Sequence, residues 1–297
     1  MPPLDPIRRP VISERWLVPL ALLGVYVVWG STYLGIAVMV ETIPPLLGNA
    51  VRMLTAGAVM YLVIRRRGED RPTARQWRNG AAVGTLLFVG GLGQVSVAES
   101  IGIGSGVAAT AIAMTPVWAS LVSGLFGSWP RRLQWIGLAL GVVGVAALSL
   151  EGDFQAEPAG FALVLAAPIL WSFGSVWSNH LDLPASNMRT ALFMIGGGAS
   201  LAIAGAIRGE VAPIEPSMAS VLALLYLISF GSLLAFSAYA YLLRTVSASL
   251  ATSYAYVNPL VAVALGVSLG GEVLTGSAFV ALPLIVAAVA LIARGDR

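Results

Sequence analysis

The sequence predicts an all-α integral membrane protein whose ten transmembrane helices form two inverted five-helix repeats. Three observations support this fold class: a composition poor in charge, a series of apolar segments long enough to cross a bilayer, and an internal sequence repeat. Internal symmetry of this kind is typical of secondary transporters.

The composition excludes an ordinary water-soluble domain. Of the 297 residues, 58% are hydrophobic and only 10% are charged, and the mean hydropathy is +0.86. Soluble domains carry about 25% charged residues. The small excess of 17 basic over 14 acidic residues gives no reason to expect nucleic acid as a partner. Since the chain has no cysteine, disulfides and thiolate metal sites are excluded.

Apolar segments recur along the whole chain, and a spanning helix needs about 20 such residues. The predicted spans are 17–38, 43–64, 79–98, 103–127, 133–150, 158–178, 188–207, 217–241, 247–269 and 275–293. The segments between them are short and leave no room for a soluble domain. We interpret the first apolar run as a retained span that follows a polar, basic tail.

The distribution of arginine predicts the orientation. With the N-terminus in the cytoplasm, fifteen of the 17 arginines fall in cytoplasmic segments, Arg208 falls outside, and Arg52 falls within a span. This agrees with the positive-inside rule. Both termini are then cytoplasmic, as an even number of spans requires.

Two segments 143 residues apart define the repeat. Segment 104–129 aligns without a gap on segment 247–272, and Pro116 falls on Pro259. Ten spans in two halves give five each, and because five is odd the halves have opposite orientation. We therefore predict a repeat at 17–150, an inverted repeat at 158–293, and cytoplasmic tails at 1–16 and 294–297. Inverted repeats place a substrate cavity between them, near the bilayer midplane, and allow alternating access.

Several motifs resemble the drug/metabolite transporter superfamily, EamA type. They are the Val28-Trp29-Gly30-Ser31-Thr32 run, the Pro44-Pro45 pair followed by Arg52, the two proline-containing repeat segments, and the ending Gly271-Glu272-Val273-Leu274. The resemblance covers nearly the whole chain. It implies a five-plus-five inverted repeat with both termini cytoplasmic. The first repeat departs from the family pattern, because Trp129 stands where glutamate is usual.

The same resemblance implies the substrate class. Superfamily members export amino acids, other metabolites, drugs or sugars, and the aromatic residues on candidate cavity helices make this chain look most like the bacterial aromatic amino acid exporters. We therefore expect a multi-pass protein of the bacterial inner membrane that exports small organic metabolites, foremost aromatic or other hydrophobic amino acids. The alternative is a carrier of drugs, amphiphiles or lipids with the same fold.

Polar and aromatic side chains within spans tend to face the bundle interior. At helical spacing, the candidates for the cavity wall are Trp29, Tyr33, Gln94, Met114, Trp171, Ser175, Asn179, Phe236, Tyr239, Tyr254 and Asn258. For each there is a simpler interpretation: Asn258 can hydrogen-bond a neighbouring helix, and a small residue such as Ser175 can serve close packing. Tryptophans near helix ends, such as Trp135, are expected to be interface anchors.

Prolines and charges supply the remaining candidates. Pro116 and Pro259 each free a backbone carbonyl and are predicted to kink their helices as hinges, or to be static kinks. Arg52 can bind a substrate carboxylate, or can instead hold backbone carbonyls or snorkel. Glu99 can gate the pathway, or can be a solvated loop carboxylate.

Other function classes find little support. The chain has one histidine, no cysteine, and no motif of a metalloprotease, serine hydrolase or Walker ATPase, so we expect no enzyme activity, cofactor or metal site. No segment resembles a channel filter. The expected partners are a small-molecule substrate and the lipid bilayer, and a monomer is sufficient because both repeats lie in one chain.

Overall fold

A computed structural model of the chain describes residues 14–101, 111–149, 158–185, 187–210, 215–270 and 276–296. These residues form helices and short connections, and no β-strand occurs among them. The predicted all-α class is therefore confirmed.

The helical segments are numbered here in chain order, and interrupted ones keep a single number. They are α1 (Glu14–Val40), α2 (Pro45–Arg66), α3 (Ala74–Gly84, Thr85–Gly93 and Gln94–Ser100), α4 (Thr115–Leu125), α5 (Arg132–Ser149), α6 (Pro158–Trp177, then a 3₁₀ turn Ser178–His180), α7 (Met188–Arg208), α8 (Met218–Tyr226, Leu227–Leu234 and Ala235–Thr245), α9 (Ala248–Ala251 and Tyr254–Gly270) and α10 (Gly276–Gly295).

Length and apolarity confirm a membrane protein. Within the described part of the chain, six helices are long and apolar enough to cross a bilayer, namely α1, α2, α3, α6, α7 and α8. Shorter apolar helices lie in α5 and α10. Part of the predicted span 103–127 falls on residues that the structure does not describe. The count of ten crossings therefore stays a prediction.

The helices pack in pairs that correspond between the two halves of the chain. α2 packs along α7 and α5 along α10, while α1 packs against α8 and α9 just as α6 packs against α3 and α4. Small residues allow the close approach of α2 and α7. A Cβ atom on Gly57 would lie 2.8 Å from Cβ of Met194, and one on Gly198 would lie 2.9 Å from Cγ of Leu54. Packing through small residues is the usual basis of helix association in membranes.

Two stretches of π-helix lie at equivalent places in the two halves. Thr85–Gly93 interrupts α3, and Leu227–Leu234 interrupts α8, starting 142 residues later. A π-helical stretch changes the phase of the side chains that follow it and is frequently found at functional sites. Both stretches lie beside the central cavity described below.

The ends of the helices follow from local sequence signals. Thr73 and Gln76 form a capping box at the start of α3, and Ser217 caps α8 by accepting a hydrogen bond from the backbone N–H of Ser220. α7 ends at Gly209, whose φ of 86° is open to glycine without strain.

Candidate functional site

A single large cavity lies between the two halves of the described bundle, with a volume of about 650 Å³. Residues of α1, α2, α3, α6, α8 and α9, together with Ile112 and Thr115 at the start of α4, form its wall. α5, α7 and α10 contribute no lining residue among those described and pack outside. Drug-sized ligand pockets typically have volumes of about 300–1,000 Å³.

The base of the cavity is an aromatic cluster centred on Trp29. The Trp29 ring lies 4.6 Å from the ring of Tyr254, 4.9 Å from Phe236, 5.0 Å from Tyr239 and 5.8 Å from Trp171, measured between centroids. These four partners come from α6, α8 and α9, and most of the ring pairs are edge-to-face, a favourable geometry for aromatic rings. The cluster therefore joins both halves of the chain at one point.

Trp29 and Trp171 are equivalent residues of the two halves. They are 142 residues apart, which is also the distance in sequence between the starts of the two π-helical stretches. The 143-residue alignment of α4 with α9 did not pair them. Had α1 been aligned with α6 in the same way, this match would have singled out both tryptophans as the centre of the site.

The π-helical stretch of α8 holds two side chains of the cavity wall. The indole Nε1–H of Trp29 donates a hydrogen bond to the carbonyl oxygen of Gly231 at 3.1 Å. One residue further, the hydroxyl of Ser232 accepts a hydrogen bond from Nε of Arg52 at 2.8 Å. α1 and α2 are therefore positioned by the same two residues of α8.

Arg52 is the ionisable side chain of the described cavity wall, and it is only 2% exposed. Its Nη1 atom is buried and has no hydrogen-bond partner among the described residues. Neither of the ion pairs found in the described part of the chain includes Arg52. A buried charge without a partner is destabilising by several kcal/mol. Such a residue in a membrane protein marks a functional site more often than a structural one.

Asn258 supplies a second buried polar group. It lies one turn after Tyr254 on α9, lines the cavity, and is 3% exposed. Its Oδ1 atom has no hydrogen-bond partner among the described residues. The remaining polar groups of the wall are hydroxyls, those of Thr32, Ser96, Ser100 and Thr115. The cavity thus combines aromatic surface with one cation and several neutral polar groups.

The two ends of the cavity differ. At one end its wall reaches Val40, Pro45 and Ser100, which are the last residue of α1, the first of α2 and the last of α3. At the other end, the aromatic cluster closes it. Beyond that cluster is a void of about 10 Å³ at the far ends of α6 and α8, where Arg189 of α7 is also exposed to the void.

Hydrogen bonds hold the closed end together. Trp171 donates from Nε1 to the hydroxyl of Tyr239 at 3.3 Å, and this hydroxyl donates to Oγ of Ser175 at 2.9 Å. Ser175 and Tyr239 line the small void rather than the cavity, whereas Phe236 lines both. These side chains therefore form the barrier between the two spaces.

The structure brings six of the predicted site residues together in the wall of the large cavity. They are Trp29, Arg52, Trp171, Phe236, Tyr254 and Asn258. The side chains of Tyr33 and Glu99 lie outside the described part of the structure, and so does Glu272.

Three other candidates lie away from the large cavity. Asn179 is exposed and donates from Nδ2 to the backbone carbonyl of Leu243 at 2.8 Å. The prediction of one stripe through Trp171, Ser175 and Asn179 fails because the α-helix ends at Trp177 and the following 3₁₀ turn has a different period. Gln94 and Met114 are half-buried and do not line the cavity.

Gln94 illustrates the effect of the π-helical stretch on α3. That stretch ends at Gly93, so the side chains that follow are rotated relative to a regular α-helix. Val95 and Ser96 line the cavity in its place. At the start of α4, Thr115 lines the cavity and its neighbour Met114 does not.

The two prolines are not equivalent in the structure. Pro259 lies inside the helical part Tyr254–Gly270 of α9, as predicted. Pro116 is the second residue of α4 and follows a turn at 113–114. The prediction of a mid-helix kink at Pro116 is therefore wrong, because a proline in the first turn removes no intrahelical hydrogen bond.

Some lining residues were not anticipated from the sequence. Thr32, Ile36 and Val40 line the cavity along α1 beyond Trp29. Their spacing of three, four and four residues places them on one face of a helix, and this stripe was a signal in the sequence. No group of three histidine, aspartate or glutamate residues that could hold a metal ion occurs within the described ranges.

Comparison with known proteins identifies the class. Two parts of the chain, residues 16–150 and 158–294, each match the EamA-like transporter family. The chain therefore belongs to the EamA-like transporter family and is a membrane transporter rather than an enzyme. The resemblance seen in the sequence motifs is confirmed.

Individual relatives are similar over almost the full chain. The inner membrane transporter YedA of Escherichia coli (strain K12) is 44% identical over 95% of this chain and 92% of its own. A protein named probable amino-acid metabolite efflux pump, from Salmonella typhimurium (strain LT2), is 26% identical over 94% of this chain and 95% of its own. A solved crystal structure superimposes with a TM-score of 0.78 at 20% identity, covering 96% of this chain and 99% of that one, which supports the fold.

Proposed function

We propose that the protein exports small organic metabolites, foremost aromatic or other hydrophobic amino acids, across the bacterial inner membrane by alternating access. The observation that carries this proposal is the central cavity, which combines the aromatic cluster of Trp29 and Trp171 with the buried polar groups of Arg52 and Asn258. A large apolar pocket with a few convergent polar groups is the usual form of a small-molecule site.

The cavity chemistry favours a substrate with an aromatic or aliphatic body and a small polar head. The rings of Trp171, Phe236 and Tyr254 offer surfaces on which an apolar side chain can pack. Arg52 is the only charged residue in the described wall, so strongly charged substrates have few partners. The name of the Salmonella relative, an amino-acid metabolite efflux pump, agrees with this substrate class.

The position of the opening supports alternating access. If the N-terminus is cytoplasmic, as the arginine distribution predicts, the end of the bundle near Val40 and Ser100 faces away from the cytoplasm. The structure then corresponds to an outward-facing state, closed towards the cytoplasm by Phe236 and Tyr239. In the inward-facing state, the repeats 17–150 and 158–293 exchange roles, and Pro259 serves as a hinge.

Transport measurements on purified protein in proteoliposomes test the proposal. The substrates are labelled phenylalanine, labelled threonine and a lipophilic cation, each measured with and without a pH gradient. We expect saturable phenylalanine flux that aromatic analogues compete, and the response to the gradient determines whether protons are coupled. Flux of the cation alone would contradict the proposal and assign the protein to the drug and amphiphile carriers.

A further inference from the structure

The unpartnered polar atoms of the cavity suggest how the head group of a substrate is recognised. Arg52 on α2 and Asn258 on α9 line the same cavity, and each buries one atom without a partner among the described residues. The first atom, Nη1, can only donate hydrogen bonds, and the second, Oδ1, can only accept them. The two groups therefore call for opposite chemistry in a ligand.

Arg52 is prepared to bind an anion. Its Nε atom is held by Ser232, which fixes the plane of the guanidinium while Nη1 stays without a partner. Guanidinium groups bind carboxylates through two parallel hydrogen bonds, and these are among the strong hydrogen bonds of proteins. A carboxylate at Nη1 would supply the countercharge that no described residue provides.

Asn258 is prepared to bind a donor. A side-chain amide oxygen accepts hydrogen bonds, and an ammonium group offers three donors. The adjacent turn of α9 carries Tyr254, whose ring lies 4.6 Å from that of Trp29. An ammonium group at Asn258 would therefore place the rest of its molecule beside the aromatic cluster.

We infer that Arg52 and Asn258 together bind the zwitterionic head group of an α-amino acid, with the carboxylate at Arg52 and the ammonium at Asn258. This inference rests on the proposed function and adds to it the residues that select the head group. Arg52 and Asn258 contact the substrate, whereas Ser232 is a positioning residue that acts through Arg52.

Three related compounds test the two halves of this site separately. Phenylalanine carries both groups, 3-phenylpropionate lacks the ammonium, and phenethylamine lacks the carboxylate. Their dissociation constants are measured by titration of the tryptophan fluorescence of purified protein in detergent. For the wild type we expect phenylalanine to bind at least about tenfold more tightly than either analogue.

The variants separate the two contacts. In Arg52→Gln we expect the preference for phenylalanine over phenethylamine to disappear, and in Asn258→Leu the preference over 3-phenylpropionate. Arg52→Lys keeps the charge and is expected to retain part of the carboxylate preference. Arg75→Gln, a change at an exposed arginine paired with Asp182, is the matched control and should bind like the wild type.

The outcomes distinguish this inference from the proposed function. If phenylalanine is transported but Arg52→Gln and Asn258→Leu keep the wild-type preferences, the inference fails and the proposed function stands. If phenylalanine is not transported but Arg52→Gln alone loses 3-phenylpropionate, the assignment of the carboxylate contact stands while the proposed function falls. Absence of binding by all three compounds to the wild type overturns the inference.

Discussion

Trp29 donates its indole N–H to the carbonyl oxygen of Gly231, 202 residues further along the chain. This bond connects α1 of the first half to the π-helical stretch of α8 in the second half. Because Ser232 binds Arg52 from the same stretch, the π-helix positions both the aromatic centre and the cation of the cavity. The local geometry of α8 thus determines the arrangement of the site.

Replacement of Gly231 by alanine tests this role of the π-helical stretch. A Cβ atom there would lie 2.9 Å from Nη2 of Arg52 and 2.9 Å from Cγ2 of Thr32, so both side chains must move. We expect transport efficiency to fall about tenfold, equivalent to about 1.4 kcal/mol, while membrane insertion is retained.

Gly24→Ala is the matched control for Gly231→Ala, because a Cβ atom on Gly24 of α1 would have no heavy atom within 4 Å. Both variants are compared by initial transport rate and by thermal unfolding in detergent. Equal rates for the two variants would show that the position of Arg52 tolerates a methyl group at residue 231.

Glu210 is predicted to stabilise the start of α2. Its Oε2 atom accepts hydrogen bonds from the backbone N–H groups of Leu46 at 2.9 Å and Leu47 at 3.0 Å. A carboxylate at a helix N-terminus also interacts favourably with the helix dipole. We expect Glu210→Ala to lower the free energy of unfolding by about 1–2 kcal/mol, and Glu210→Gln by less.

The control for Glu210 is Glu215→Ala, a change at an exposed glutamate near the start of α8. Denaturation in mixed micelles gives the free energies of unfolding. An unchanged stability of Glu210→Ala would mean that water satisfies the first turn of α2 equally well.

The barrier at the closed end of the cavity predicts a coupling between two residues. Tyr239 donates to Ser175, and both line the void beyond the cavity. In a double-mutant cycle of Tyr239→Phe and Ser175→Ala, we expect a coupling free energy of about 0.6 kcal/mol, the average for interhelical hydrogen bonds in membranes. Strict additivity of the two unfolding free energies would indicate that this hydrogen bond does not contribute.

Because the natural chain has no cysteine, single cysteines can report which side of the cavity is open. Ser100 lies at the open end and is exposed, whereas Leu243 lines the void beyond the barrier. We expect a membrane-impermeant thiol reagent, added from the periplasmic side of oriented vesicles, to modify Ser100→Cys rapidly and Leu243→Cys slowly. The reverse order would contradict the outward-facing assignment.

Much of the fold could be predicted from hydrophobic segments and their boundaries. The prediction 188–207 agrees with α7 (Met188–Arg208), and 43–64 agrees with α2 (Pro45–Arg66) to within two residues. This works because apolar length defines a spanning helix, while arginines and prolines mark its ends.

The site could be predicted only in part. Deep aromatic residues such as Trp29 and Trp171 were singled out because few other side chains in the spans can recognise a ligand. The hydrogen bond between Arg52 and Ser232 joins residues 180 positions apart and leaves no local pattern. The π-helical stretches and the 3₁₀ turn after Trp177 change the helical phase, so periodicity misplaced Gln94 and Asn179.

The central claim is that the cavity around Trp29 and Trp171 is the path of an aromatic amino acid. The most direct test is the initial rate of labelled phenylalanine efflux from proteoliposomes that contain equal amounts of wild type, Trp171→Ala or Trp135→Ala. Trp135 lies on α5 and is 36% exposed, so its loss removes a tryptophan outside the cavity. We predict wild-type rates for Trp135→Ala and a rate at least about tenfold lower for Trp171→Ala. Equal rates for all three proteins would contradict the claim.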